Sequence, residues 1–130
     1  MPVIPRLIKR LNAKRISQIE NFMRHPVDTQ QNVLSDLLRR AADTEWGSKY
    51  KYASIKSGAE YRSAVPVQTY EKIIPIIERL RAGEKDILWP GEIKWFAKSS
   101  GTTSSKSKFI PVSLDSLEHC HYQAARDILA

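Results

Sequence analysis

The sequence predicts an α/β fold that is mainly helical and carries one β-hairpin. Three observations lead there. Apolar residues recur at helical spacing from Ile4 to Leu80 and again from Leu114 to Ile128. Between those regions, Ile93–Ala97 and Phe109–Val112 are short apolar segments that read as strands. They flank the run Ser99-Ser100-Gly101-Thr102-Thr103-Ser104-Ser105-Lys106-Ser107-Lys108, which is dense in hydroxyls and holds one glycine and two lysines.

The first helix is basic and amphipathic. Ile4, Leu7, Ile8 and Leu11 share one face, and Arg6, Lys9, Arg10, Lys14 and Arg15 precede the first acidic residue, Glu20. Such a segment suits an anionic lipid surface or a presequence. It equally suits a helix that packs its stripe on the body and leaves its basic face in water. Ile16, Ile19, Phe22 and Met23 continue the stripe to Pro26. Asp28 is expected to cap the second helix, with Gln31 completing a capping box. Val33, Leu34, Leu37, Leu38 and Ala41 form its apolar face; it is expected to end near Asp43, with Gly47 marking the break. Trp46, Tyr50 and Tyr52 then cover a helix end or stack on a nucleic acid.

Ser57 and Glu60 form another capping box, opening a short helix through Arg62 or Ser63. Val65-Pro66-Val67 is extended, because a residue before proline avoids the helical region. Thr69 is expected to cap a helix whose broad face is Ile73, Ile74, Ile76, Ile77 and Leu80. Pro75 is expected to kink or divide it, and Gly83 to stop it. Lys85–Gly91 is a turn region. Ser113 caps a last helix with Leu114, Leu117, His121, Ala124 and Ile128 along one side. No stop signal precedes Ala130, so the chain is expected to be the incomplete beginning of a larger domain with exposed apolar faces.

Composition narrows the classes. The chain is 42% hydrophobic and 27% charged, which are globular rather than disordered values. No apolar run reaches the roughly 18 residues of a membrane span. Cys120 is the single cysteine, so no internal disulfide forms, and a reducing, cytoplasmic location is expected. His25, His119 and His121 do not share a metal-ligating helix face. The net charge of +7 favours anionic partners: nucleic acid, a membrane surface or a nucleoside triphosphate.

The polar loop carries the chemistry. Gly101 allows close backbone approach to an anion, successive N–H groups can form an anion nest, hydroxyls add neutral donors, and a lysine adds a point charge. The same composition also occurs in plain surface loops and linkers. A Walker A loop is excluded, since Lys106 stands where its second glycine belongs. A phosphate site here is held by a hairpin, not by a helix N-terminus.

Ser99-Ser100-Gly101-Thr102-Thr103 followed by Lys108 resembles the phosphate loop of adenylate-forming enzymes. Upstream, Val65-Pro66-Val67-Gln68-Thr69-Tyr70-Glu71, Ile73-Ile74-Pro75-Ile76-Ile77-Glu78-Arg79, Gly83-Glu84 and Ile87-Leu88 resemble the GH3 family. These are the auxin-responsive acyl acid-amido synthetases of plants and their bacterial relatives. The resemblance runs from about Val33 to Val112. Many members carry a glycine where Ser104-Ser105 stand here.

The resemblance implies that residues 1–130 are the N-terminal part of an adenylation domain of the adenylate-forming large-domain type, with the hairpin bearing the phosphate loop. It implies ATP and Mg²⁺ as cofactors, and a carboxylic acid and an amino acid as substrates of the complete enzyme. By the same resemblance, Ser99, Ser100, Gly101, Thr102, Thr103, Ser104, Ser105, Lys106 and Lys108 bind the phosphates, and Lys108 is the catalytic cation. The segment contains nothing expected to bind adenine or to select the acid, so it is not expected to turn over alone. Neither nucleic acid nor a transmembrane segment belongs to this reading. The rival reading is a small basic helical module that binds nucleic acid or an anionic membrane.

Overall fold

A computed structural model describes residues 3–99 and 107–128. Helix α1, Val3–Arg24, runs to His25, and α2, Pro26–Ala41, follows at once. Here the structure corrects the expected cap. Pro26 takes the first helical position, where its fixed φ fits and its missing N–H costs nothing. Asp28 therefore lies inside the first turn, where its charge faces the positive end of the helix dipole. Gln31 turns outward instead, and its Nε2 donates to the Lys56 carbonyl at 2.6 Å.

Helix α2 stops at Ala41, two residues before the expected end, because Thr44 starts another helix. In α3, Glu45–Lys49, the Thr44 hydroxyl accepts the Gly47 N–H at 3.0 Å and donates to the Ala41 carbonyl at 2.7 Å. Gly47 is thus inside a helix and not a break. A Cβ there would lie 1.9 Å from the Ala41 carbonyl oxygen, so only glycine permits this approach. The aromatic residues near this end pack on one another: the Trp46 and Tyr50 rings lie 4.9 Å apart, with Lys49 over both.

After a 3₁₀ turn at Tyr52–Ser54 comes α4, Gly58–Ala64. The Ser57 hydroxyl accepts the Glu60 N–H at 3.2 Å, as the capping box predicts, while the Glu60 carboxylate takes the Lys56 N–H at 2.8 Å. Helix α5, Tyr70–Arg81, follows Thr69, whose backbone occupies the cap position without a side-chain cap bond. Pro75 does not divide it. Proline removes one ladder donor, but the helix is held by Ile77 and Leu80, each 1% exposed. Gly83, at φ +88°, ends it: its N–H bonds the Leu80 carbonyl at 3.0 Å and the Glu84 N–H bonds that of Arg79 at 3.1 Å. That pair of bonds is a Schellman stop.

The following turn is tied back to α3. The Glu45 and Trp46 N–H groups, which a helix start leaves without internal partners, donate to the Asp86 and Ile87 carbonyls at 2.8 and 2.9 Å. Arg79 bridges Glu45 and Glu84, so this arginine is a structural tie between α5, α3 and the turn. The core forms beneath, from Leu80, Ile87 and Ile93 with Ile76, Leu88, Trp89 and Phe96 packed against it. Each fully buried aliphatic side chain contributes about 1.5–3 kcal/mol.

Strands β1, Trp95–Lys98, and β2, Phe109–Val112, pair antiparallel, with Trp95 opposite Val112 and Lys98 opposite Phe109. Ile93, expected within the first strand, is a core residue just before it. The last helix starts at Ser113, whose hydroxyl accepts the Ser116 N–H at 3.1 Å. It begins as α6, Leu114–Ser116, widens into a π-helical stretch at Leu117–Tyr122, and returns to α in α7, Gln123–Asp127. The wide turn resets the 3.6-residue period, so the single face expected from Leu114 to Ile128 is not maintained; both of those residues are exposed. Other apolar side chains also face outward, including Val33, Val67, Trp95 and Ile110. Among the described residues no helix is long and apolar enough to cross a membrane.

Candidate phosphate-loop hairpin

The hairpin continues one residue pair past its strands. The Ser99 N–H donates to the Lys108 carbonyl at 2.9 Å, and the Lys108 N–H donates to the Ser99 hydroxyl at 3.1 Å. Of the predicted site residues, these two are brought together, at the mouth where the polar run leaves and re-enters the sheet. Ser100, Gly101, Thr102, Thr103, Ser104, Ser105 and Lys106 lie outside the described residues.

Register decides which groups face the body. Because the Ser99 N–H donates to the Lys108 carbonyl, the neighbouring pair Lys98 and Phe109 is a non-bonded one, and the Phe109 N–H points away from β1. The Tyr70 hydroxyl at the start of α5 accepts that N–H at 2.8 Å. Pro111 falls at the next non-bonded position, where a missing N–H costs the ladder nothing. Arg81, at the far end of α5, lies over the Phe109 ring at 4.2 Å. The Lys108 ammonium lies 5.1 Å from the centre of the Tyr70 ring. Glu71, beside Tyr70, is held below its ordinary value by its own backbone N–H and the Thr69 hydroxyl, with a smaller contribution from Lys108.

A second polar cluster joins α2, the Trp89 turn and α6. Asp115 accepts from Trp89 Nε1 at 2.7 Å and pairs with Arg40, whose guanidinium lies 4.9 Å from the Trp89 ring centre. These two donors, Trp89 first, lower the Asp115 carboxyl. Beside it is an open groove of about 390 Å³ lined by Val33, Leu37, Trp89, Ser116, His119 and Cys120. Sequence reasoning missed this cluster and Tyr70 alike. Asp115 reads as an ordinary first-turn acid, and nothing in spacing pairs Tyr70 with a strand 39 residues away.

The described residues thus form a mainly helical segment joined to one two-stranded antiparallel sheet. The structure superposes on the GH3.15 acyl acid amido synthetase with TM-score 0.71 and 29% identity, covering 85% of this chain and 20% of that one. For the same enzyme in complex with 2,4-DB, the values are 0.72, 28%, 87% and 20%.

The family model "GH3 family N-terminal domain" matches residues 15–130, and the chain belongs to the GH3 family. It is 32% identical over 108 residues to the probable indole-3-acetic acid-amido synthetase GH3.1 of Arabidopsis thaliana, covering 82% of this chain and 18% of that protein. It is 30% identical over 124 residues to the putative indole-3-acetic acid-amido synthetase GH3.10 of Oryza sativa subsp. japonica, covering 94% and 25%. The chain therefore spans about a fifth to a quarter of the length of these relatives.

Proposed function

We propose that this chain supplies the ATP phosphate-binding segment of an acyl acid amido synthetase. The observation that carries the reading is the closed hairpin mouth, where Ser99 and Lys108 hold each other through two hydrogen bonds. It holds Ser99 and Lys108, the two ends of the Ser/Gly/Thr run, side by side at the edge of the sheet.

The proposed reaction has two displacements. A carboxylate oxygen of the acyl acid attacks the α-phosphorus of ATP; the bond to the β-phosphate oxygen breaks, giving an acyl-adenylate and pyrophosphate. The amino group of an amino acid then attacks the acyl carbon, loses a proton, and displaces AMP. In this scheme Ser99, Ser100, Thr102 and Thr103 donate hydroxyl hydrogen bonds to the leaving phosphates, and Gly101 brings its N–H close. Ser104, Ser105 and Lys106 complete the rim, and Lys108 offsets the charge that accumulates on pyrophosphate. Among the described residues no three carboxylates, histidines or cysteines gather as a metal cage. Mg²⁺ would be held with few ligands from this segment and would neutralise phosphate charge. Such an ATP-dependent reaction fits the cytoplasm.

The module reading for nucleic acid or membranes gains no support from the comparisons, whose named relatives are amido synthetases. Carboxylate-dependent ATP–pyrophosphate exchange, in a full-length synthetase containing this segment, tests the proposal. Exchange that Lys108→Ala slows by about 10²–10³ is the expected result; exchange indifferent to every loop substitution overturns it.

A further inference from the structure

We propose that Tyr70 is a positioning residue for the phosphate loop and acts through Lys108. The inference rests on the loop reading above and adds to it a residue from a different element. Tyr70 is the first residue of α5, and α5 is anchored in the core through Ile77 and Leu80. From that fixed base the Tyr70 hydroxyl takes the outward N–H of Phe109 at 2.8 Å. Its distance to the Phe109 carbonyl, 3.5 Å, is too long to matter. Phe109 directly follows Lys108, so the hydroxyl pins the return end of the loop from the side opposite β1. Arg81 over the Phe109 ring closes the same residue from the other end of the helix.

The ring has a second role. The Lys108 backbone is fixed by Ser99, but its ammonium sits on four rotatable bonds. The face of Tyr70, 5.1 Å away, narrows the directions that the ammonium samples. That contact is weak enough to yield to a phosphate oxygen and strong enough to keep the charge at the hairpin mouth. One side chain thus sets both the backbone and the cation of the loop. The ligand class is a polyphosphate whose charge grows as it leaves.

The test is a double-mutant cycle in a full-length synthetase containing this segment. Exchange kinetics with ATP and a carboxylic acid are measured for Tyr70→Phe, Lys108→Ala and the double variant, alongside hydrogen exchange of the Phe109 amide. Tyr70→Phe keeps the ring and loses the hydroxyl. It is expected to lower kcat about tenfold, the scale of one lost hydrogen bond, leave the KM for the acid unchanged, and speed exchange of the Phe109 amide. The double variant is expected to be no slower than Lys108→Ala, because residues acting through one group do not add. Additive penalties, wild-type kcat in Tyr70→Phe, or an unaltered Phe109 amide overturn this inference while leaving the loop reading intact. Full activity in Lys108→Ala overturns this inference together with the assignment of Lys108 as the phosphate cation, whereas exchange indifferent to every loop substitution overturns the loop reading as well.

Discussion

Arg15 and Asp127 face each other through two parallel hydrogen bonds, Nε to Oδ1 and Nη2 to Oδ2, both 2.7 Å long. The pair joins the first helix to the last across 112 positions. Gln123 adds a third donor to Asp127 at 3.0 Å. Arg15 first, then Gln123, pull the Asp127 carboxyl from its ordinary 3.8 down to about 2.

The sign of the pH effect follows from that depression. A carboxyl whose pKa is lower in the folded than in the unfolded state stabilises the fold above its unfolded value. The contribution is lost as pH falls from about 4 through about 2. Contact between α1 and α7 is therefore expected to weaken over that window, and earlier in high salt, since both side chains are partly in water. Thermal melting of the parent and of Asp127→Asn at successive pH values checks this. The two curves should converge toward pH 2; an unchanging gap from pH 5 to pH 2 contradicts the assignment.

Gly47→Ala is expected to destabilise by about 3 kcal/mol or more, because an added methyl meets the immovable Ala41 and Ala42 carbonyls rather than a side chain able to turn aside. Urea midpoints measure the loss. A substitution that leaves the midpoint unchanged shows that α2 and α3 do not approach as closely as described.

The same position shows what the sequence does and does not disclose. A glycine after an amphipathic run reads as a stop, and only the approach of two helix ends reveals that it is a contact. The hairpin, the Ser57 and Ser113 caps and the Gly83 stop were legible because local chemistry dictates them. Pro26 displaced Asp28 as the start of α2 because two good signals stood two residues apart. The π-helical stretch at Leu117–Tyr122 left no mark in the residue pattern. At the hairpin mouth, the polar run itself points to Ser99 and Lys108 as its two ends, but Tyr70 is far away in sequence and its contact depends on strand register.

Core packing gives a graded expectation. Ile77→Ala removes a fully buried side chain from α5 and is expected to cost about 2–5 kcal/mol. Val67→Ala, at 96% exposure, should change stability by no more than about 0.5 kcal/mol. Denaturation of the two variants side by side tests whether α5 is the anchor of the hairpin. Equal losses, or a larger loss at Val67, contradict the burial pattern.

The loop itself is tested by an order of effects rather than by one variant. A lysine facing a leaving pyrophosphate stabilises charge that grows in the transition state, and removing one such contact costs about 10²–10³ in rate. Lys108→Ala is therefore expected to slow carboxylate-dependent ATP–pyrophosphate exchange by that factor. Lys106→Ala should do much less, because the hairpin mouth fixes the backbone of Lys108 against Ser99. Thr102→Val loses one neutral hydrogen bond of about 1 kcal/mol and should fall between them. If Lys106→Ala proves worse than Lys108→Ala, the register through Ser104-Ser105 is displaced and the wrong lysine has been assigned to the phosphate. If none of the three changes the exchange rate, the run is a linker held by a hairpin, and the phosphates bind elsewhere.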